Sequence, residues 1–186
     1  MSIYIETERL YIRELELSDD IGMFEMDSDP LVHKFLGNKP QNTIDQSREV
    51  LEFVRQQYID NGIGRWAIIE KGTNDFVGWT GYKLMTTMVH GHVGHYDFGY
   101  RLARRFWGKG YATESGRASL HYGIDTLKFK DIYGMTDVNN AASRHVLEKL
   151  GFTFVELFQY DAEPNWRAEG ELTTWYKLIQ PQTPAI

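Results

Sequence analysis

Residues 104–115 combine two glycines, a lysine and a run of small residues, a pattern suited to binding a phosphate. The segment reads RRFWGKGYATES and follows a predicted strand. A helix that begins near Tyr111 leaves its first backbone N–H groups without intrahelical partners. Gly108 and Gly110 lack a Cβ, so those N–H groups can approach an anion closely. The pattern therefore predicts binding of a nucleotide-like phosphoester.

Two other phosphate-binding patterns are excluded by their spacing. A P-loop requires G-x-x-x-x-G-K-[ST], which occurs nowhere in the chain. A dinucleotide fingerprint requires G-x-G-x-x-G, and Thr113 occupies the place of its third glycine. Its ribose-binding acid is also displaced, because Asp131 lies at the start of the next apolar run and not at its end. The pattern that remains is R-x-x-G-x-G, formed by Arg105, Gly108 and Gly110.

Further blocks accompany this pattern along the chain. Residues 138–152, VNNAASRHVLEKLGF, contain the pattern N-x-x-S-x-x-x-x-x-K-x-G-F, and residues 7–13 read TERLYIR. Residues 76–81 (FVGWTG) and 98–100 (FGY) fall in two predicted strands. In these blocks and in the R-x-x-G-x-G loop the chain resembles the GNAT N-acetyltransferase superfamily, in its RimJ/RimL-like (ribosomal-protein-alanine acetyltransferase) branch. The resemblance covers nearly the whole chain.

The resemblance implies an α/β fold and a single domain. It implies a GNAT fold with a mixed central sheet of about seven strands and four helices, in which strands four and five splay apart. Residues 1–179 are expected to form this domain, and residues 180–186, which contain two prolines, are expected to be a disordered tail.

The resemblance also implies acetyl-coenzyme A as the cosubstrate. Its pyrophosphate is expected to contact backbone N–H groups of the loop, with Arg105 as the first choice among the flanking cationic side chains. The backbone groups assigned to phosphate belong to Gly108, Lys109, Gly110, Tyr111 and Ala112.

Acetylation of an amine requires a group that accepts a proton, because an ammonium ion has no free lone pair for attack. His95 and Asp97 precede the FGY block and share one face of a strand. Acidic residues near this place often act through water in the family, so Asp97 is the predicted general base. A solvated hairpin residue is the alternative interpretation of Asp97.

The oxyanion and the departing thiolate also need partners. The splayed strands are implied to expose backbone groups of Tyr100, Arg101 and Leu102 to the thioester and the pantetheine arm. Many members use a tyrosine for the thiolate, but Leu147 occupies its place. Ser143, one turn earlier, is the predicted partner of the sulfur, and Asn140 is predicted to bind the pantetheine arm. The alternative is that Ser143 only supports the first turn of its helix.

The acceptor is a primary amine, on a protein N-terminus or on a small molecule, and the sequence leaves its identity open. Phe35 and Trp79 are expected to line its groove. A coenzyme A-binding module without catalysis, or a protein-interaction module with residues 85–89 as its contact edge, are the alternatives. The protein is expected to be a monomer or a homodimer.

His90, His92 and His95 form the pattern H-x-H-x-x-H, which allows a metal site as one interpretation. A flexible histidine-containing hairpin is the preferred alternative, because Gly91 and Gly94 lie between the histidines and the proposed reaction needs no metal. No metal is therefore predicted.

Composition sets the outer limits for function. The chain has 186 residues, of which 42% are hydrophobic and 25% charged, as expected for one globular domain. The absence of cysteine excludes a cysteine acyl-enzyme, so acetyl transfer is expected to be direct. A net charge of −6 argues against a nucleic-acid partner. Without a long apolar run or a signal peptide, the protein is expected to be cytoplasmic and not to associate with membranes.

Apolar periodicity predicts the elements that hold these residues in place. Strands are expected at residues 10–13, 66–70, 76–84, 95–102, 132–138, 152–160 and 172–178. Helices are expected at residues 18–26, 43–62, 112–127 and 140–151. The second, third and fourth strands, at residues 66–70, 76–84 and 95–102, are expected to pair as an antiparallel meander.

Overall fold

The computed structural model describes residues 3–160 and 172–179, which form a mixed sheet with helices on both faces. The strands are β1 (Ile3–Glu6), β2 (Leu10–Glu14), β3 (Arg65–Glu70), β4 (Phe76–Leu84), β5 (Tyr96–Leu102), β6 (Ile132–Asp137), β7 (Phe152–Gln159) and β8 (Leu172–Leu178). The helices are α1 (Asp20–Asp27), α2 (Pro30–His33), α3 (Ile44–Asn61), α4 (Tyr111–Asp125) and α5 (Ala141–Lys149). The strand order across the sheet is β1-β2-β3-β4-β5-β6-β8-β7.

The α/β fold is confirmed, with two short elements more than the sequence predicted. Strand β1 pairs antiparallel with β2 at one edge of the sheet. Helix α2 is a single turn that begins at a proline, and the carboxylate of Asp29 caps it by accepting from the N–H of Leu31 at 2.9 Å. Elements of four residues are too short to show periodicity. The predicted tail at residues 180–186 lies outside the described residues.

The predicted meander is present, because β3, β4 and β5 are joined by antiparallel ladders. The next pairing is different. Strand β5 runs parallel to β6, and their ladder covers only Tyr96 to Phe98, although β5 continues to Leu102 and β6 to Asp137. The two strands therefore part in the middle of the sheet, at the place that the expected splay requires.

Two apolar clusters fix the helices on opposite sides of this opening. Leu51 of α3 and Met26 of α1 belong to one cluster, and Leu120 of α4 and Leu147 of α5 belong to the other. Helix α4 lies so close to β4 that a Cβ atom on Gly123 would be 2.1 Å from the Tyr82 hydroxyl. The small residues of α4 thus let the helix lie close on the sheet, as the sequence predicted.

Candidate active site

A cavity of about 850 Å³ opens where β5 and β6 part. Strands β4 to β6, the glycine loop, the first turns of α4 and α5 and the segment at residues 31–36 form its walls. The predicted site residues that line it are Phe35, Trp79, Asp97, Tyr100, Arg101, Leu102, Gly108, Gly110, Tyr111, Ala112, Asn140 and Ser143. The fold therefore brings together residues that are more than one hundred positions apart in the chain.

The edge of β5 that faces β6 has no strand partner from Gly99 to Leu102, although the Leu102 carbonyl accepts from Trp107 Nε1 at 2.8 Å. The ladder with β6 stops at Phe98, and within the described ranges no other strand pairs with this edge. Backbone groups on such an edge are hydrogen-bonding partners for an extended ligand arm that enters between the strands.

The glycine loop presents a row of free amides to the same cavity. Gly108 has a φ of +74°, and Gly110, the residue that caps α4, has a φ of +82°. The backbone N–H groups of residues 108–113 have no acceptor among the residues that the structure describes. Together with the helix dipole of α4, these N–H groups form a concave site suited to an anion.

The charged side chains of this loop point to other partners. The guanidinium of Arg105 lies 2.9 Å from the carboxylate of Glu25 and 3.1 Å from that of Asp75. The Lys109 ammonium lies 5.1 Å from the ring centre of Phe106. Neither Arg105 nor Lys109 lines the cavity. A phosphate contact by the Arg105 side chain would require it to leave two carboxylates, whereas the backbone N–H groups are already free.

Residues of the TERL block brace the loop from behind, a role that the sequence did not reveal. Glu114 of α4 accepts from the Thr7 hydroxyl at 2.6 Å and from Arg9 Nε at 2.7 Å. Arg9 also donates to the backbone carbonyl of Lys109 at 3.0 Å, and its guanidinium lies 4.4 Å from the Tyr111 ring centre. Burial raises the pKa of Glu114, but these donors outweigh burial and hold it below its ordinary value.

We expect Arg9→Ala to raise the KM for acetyl-coenzyme A about tenfold, since loss of a charge-assisted hydrogen bond costs about 1.5 kcal/mol. The loop would keep its glycines but lose the contacts that hold Lys109 and the first turn of α4 in place. Arg48→Ala is the control, because Arg48 pairs with Asp20 and Asp45 outside the cavity. Initial-rate kinetics on both variants measure the effect, and an unchanged KM for Arg9→Ala would contradict it.

Asp97 is half of a largely buried ion pair in the cavity wall. Its Oδ2 accepts from Arg65 Nη2, and its backbone carbonyl accepts from Arg65 Nη1 at 2.7 Å. The two side chains are 13% and 12% exposed, so the interpretation of Asp97 as a solvated hairpin residue is wrong. Burial lowers the pKa of Arg65, and the Asp97 carboxylate opposes that shift. Oδ1 of Asp97 has no partner within the described part of the chain and is free to accept a hydrogen bond.

Ser143 meets a partner that the sequence did not predict. The Tyr100 hydroxyl donates to the backbone carbonyl of Ser143 at 2.8 Å and lies 3.1 Å from its Oγ. Burial raises the pKa of Tyr100, so the phenol stays neutral and keeps its proton. Asn140 caps α5, because its Oδ1 accepts from the N–H of Ser143 at 3.1 Å. The side chain of Asn140 thus supports the first turn of α5, and Asn140 and Ser143 both line the cavity.

The opposite wall combines an aromatic ring with cations. The guanidinium groups of Arg65 and Arg101 lie 5.1 and 5.2 Å from the ring centre of Trp79. Arg101 donates to Asp27 at 2.7 Å. Burial would raise the pKa of Asp27, but Arg101 and His33 hold it below its ordinary value. Phe35 follows α2 and faces the same cavity, so both predicted acceptor residues border it.

Comparison with known proteins identifies the family. The family model described as acetyltransferase (GNAT) domain matches residues 9–153, well over half of the chain. This protein belongs to the GNAT acetyltransferase family. The match includes the glycine loop, Asp97, Asn140 and Ser143, so the cavity lies within the part of the chain that defines the family.

Relatives carry related names. A protein of Bacillus licheniformis named uncharacterized N-acetyltransferase p20 is 30% identical over 146 residues, which are 78% of this chain and 80% of that protein. A protein of Aspergillus fumigatus named FsC-acetyl coenzyme A-N(2)-transacetylase is 30% identical to this chain, and the match covers 95% of this chain and 80% of that protein.

A solved structure matches the fold. The acetyltransferase (GNAT family) from Bacillus anthracis superposes with a TM-score of 0.73 at 25% identity. The match covers 94% of this GNAT protein and 97% of that chain.

The three histidines of the H-x-H-x-x-H pattern, His90, His92 and His95, belong to an aromatic cluster beside the cavity. His92 stacks on Trp175 at 5.7 Å, and His95 packs edge-on against Trp175 at 5.4 Å. His90 Nε2 lies 3.1 Å from Glu156. Burial lowers the pKa of His95, which does not line the cavity. Residues 3–160 and 172–179 contain no group of three side chains arranged to hold a metal, and no helix among them could span a membrane.

The segment at residues 85–89 is buried at its two ends and exposed at Thr86, Thr87 and Met88. Met85 and Val89 are 4% and 0% exposed and pack with Tyr133, Phe158 and Trp175. Of the two methionines in the segment, Met85 is buried and Met88 is 66% exposed. The hairpin thus packs onto the sheet through Met85 and Val89, and a contact edge in this segment stays a prediction that is limited to residues 86–88.

We expect Ser143→Ala to lower kcat about tenfold with little change in the KM for acetyl-coenzyme A, since a hydrogen bond to a charged group contributes about 1.5 kcal/mol. The hydroxyl would act on charge that develops on sulfur only during the reaction. Ser119→Ala is the control, because Ser119 is a buried serine that does not line the cavity. A normal kcat for Ser143→Ala would reduce Ser143 to a support of α5.

Proposed function

We propose that this GNAT domain transfers an acetyl group from acetyl-coenzyme A directly to a primary amine. The observation that carries the proposal is a single cavity that joins the free amides of residues 108–113, the open edge of β5 and the carboxylate of Asp97. The loop suits a pyrophosphate, the strand edge suits the pantetheine arm, and the carboxylate suits an amine that must lose a proton.

In the proposed reaction, Oδ1 of Asp97 accepts a proton from the acceptor ammonium through water. The neutral amine attacks the thioester carbonyl carbon, and backbone N–H groups of the β5 edge near Tyr100, Arg101 and Leu102 stabilise the oxyanion. Collapse forms the amide bond and breaks the carbon–sulfur bond. The nitrogen loses its second proton, one proton remains with the thiol of coenzyme A, and one passes to solvent. Ser143 hydrogen-bonds the departing thiolate.

Phe35 and Trp79 are proposed to border the acceptor, and Asn140 to bond the pantetheine arm or the backbone beside it. The RimJ/RimL-like branch is proposed from the blocks at residues 7–13 and 138–152, and it makes protein N-termini one acceptor class. Small-molecule amines are the other class. A cytoplasmic location, a monomeric or homodimeric state and the absence of nucleic-acid and membrane partners stay predictions.

The direct test is release of free thiol from acetyl-coenzyme A in the presence of peptides, amino acids and polyamines. The chain contains no cysteine, so a thiol-reactive dye gives no background from the protein. We expect amine-dependent release that ranks the acceptor classes, with mass spectrometry locating the acetyl group on nitrogen. Cofactor binding without release for any amine would instead favour a noncatalytic coenzyme A-binding module.

A further inference from the structure

The lining of the cavity contains more cationic than anionic side chains, although the chain as a whole has a negative net charge. The net charge of the protein is −6, yet Asp97 is the single carboxylate lining the cavity in the part of the chain that the structure describes. The cationic side chains that line it are Lys34, Arg65, Lys83, Arg101 and Lys149. A cavity lined by positive charge in a protein of negative net charge indicates a ligand that carries negative charge.

The phosphates of acetyl-coenzyme A do not account for all of these cations. Lys83 lies directly opposite Asp97 in the ladder between β4 and β5. Asp97 is five residues before Leu102, where β5 ends and the chain continues into the glycine loop. A strand rises about 3.3 Å per residue, so Lys83 is about 17 Å along the sheet from that end. A phosphate bound at the N-terminus of α4 is therefore far from Lys83, which lies at the acceptor end.

Lys83 is also an unpaired cation. Arg65 is neutralised by Asp97 and Arg101 by Asp27, but no carboxylate of the described residues lies within ion-pair distance of Lys83. Its ammonium is half-buried and 5.9 Å from the Phe53 ring centre. Burial is the main cause that lowers the pKa of Lys83 and Arg65 adds to it, whereas the Asp97 carboxylate, which is ion-paired with Arg65, opposes the shift. A half-buried cation without a counter-ion is unfavourable unless a ligand supplies one.

We propose that the acceptor is a primary amine that carries a carboxylate, and that Lys83 binds this carboxylate beside Arg65 and Trp79. The inference rests on the proposed acetyl transfer and narrows its acceptor to molecules of the amino-acid class. Polyamines and aminoglycosides are disfavoured, because their several positive charges would face Lys83, Arg65 and Arg101.

The test compares matched acceptors that differ only in the carboxylate. L-alanine, L-methionine, L-phenylalanine and β-alanine are each assayed against the corresponding amide by thiol release. We expect kcat/KM to be at least about tenfold higher for the carboxylates, as for a gained charge-assisted hydrogen bond. The bias of the chemistry runs the other way, because the amine of an amino-acid amide deprotonates more readily. A preference for the amides or for spermidine would overturn the proposal.

Substitutions at Lys83 assign the effect to a residue. We expect Lys83→Met to lower kcat/KM about tenfold for the carboxylates and to leave the amides unchanged, whereas Lys83→Arg should retain the preference. Lys39→Met is the control, because Lys39 is exposed and does not line the cavity. Equal loss for carboxylates and amides in Lys83→Met would contradict carboxylate binding by Lys83.

A binding measurement separates this inference from acetyl transfer itself. Quenching of tryptophan fluorescence, with Trp79 in the cavity wall, reports acceptor binding without turnover. Carboxylate-dependent binding that Lys83→Met abolishes would support the inference even if no thiol were released, and only the proposed reaction would then fail. Turnover of uncharged amines with no effect of Lys83→Met would leave the reaction intact and refute the carboxylate site.

Discussion

Gly110→Val should abolish detectable binding of acetyl-coenzyme A. Gly110 caps α4 and lines the cavity, and its φ of +82° is a conformation that β-branched residues rarely adopt. A valine there would strain the backbone, and its Cβ would lie 3.5 Å from Arg9 Nη2, which belongs to the side chain that supports the loop. Loss of two charge-assisted hydrogen bonds costs about 3 kcal/mol, so we expect affinity to fall at least about a hundredfold. Calorimetric titration with acetyl-coenzyme A measures the loss.

Gly91→Val is the matched control for backbone strain. Gly91 has a φ of +76°, nearly that of Gly110, and no atom lies within 4 Å of the position where its Cβ would stand. It belongs to the hairpin of His90 and does not line the cavity. We expect both variants to lose similar thermal stability but only Gly110→Val to lose the ligand. Normal affinity in a folded Gly110→Val protein would refute the phosphate assignment of the loop.

Asp97→Asn should lower kcat about a hundredfold or more, as expected when a general base is removed. The same change leaves the Arg65 guanidinium buried without its counter-ion. Removing one partner of such a pair typically costs about 3 kcal/mol in the free energy of unfolding. We therefore expect a less stable protein that still binds acetyl-coenzyme A, because Asp97 is distant from the glycine loop. Denaturant unfolding and steady-state kinetics separate the two effects.

Asp19→Asn separates loss of stability from loss of catalysis. Asp19 pairs with Arg13 at 2.7 Å, both side chains are 6% exposed, and neither residue lines the cavity. This variant should lose a comparable free energy of unfolding and keep its kcat. If Asp97→Asn and Asp19→Asn reduce kcat equally, Asp97 acts only through the ion pair with Arg65, and the proton acceptor must be sought elsewhere.

Local patterns were sufficient for most of the fold. The ends of α3 and of strands β3 to β6 were predicted within one or two residues. Apolar periodicity and the residues that begin or end an element are local signals, so the sequence shows them directly. The turn of α2 and the edge strand β1 were missed, since four residues carry too little pattern. The short sequence patterns of the family are also local, and they correctly indicated an acetyltransferase domain.

The sequence did not show which side chains far apart in the chain form ion pairs or hydrogen bonds with each other. Nothing in the glycine loop indicates that Arg105 pairs with Glu25 and Asp75, or that Arg9 supports the loop through Glu114. The link between Tyr100 and Ser143 joins a strand to a helix 43 residues later, and its geometry depends on how α5 packs on the sheet.

The sequence by itself determined the family, the order of the longer elements and the glycine loop at Gly108 and Gly110, because these depend on residue types at short spacing. Only the tertiary structure decided which charges meet in the cavity. It paired Arg65 with Asp97, left Lys83 unpaired and turned Arg105 away. The physical reason is that electrostatic interaction depends on distance and burial in space, and both are set by strand register and helix packing.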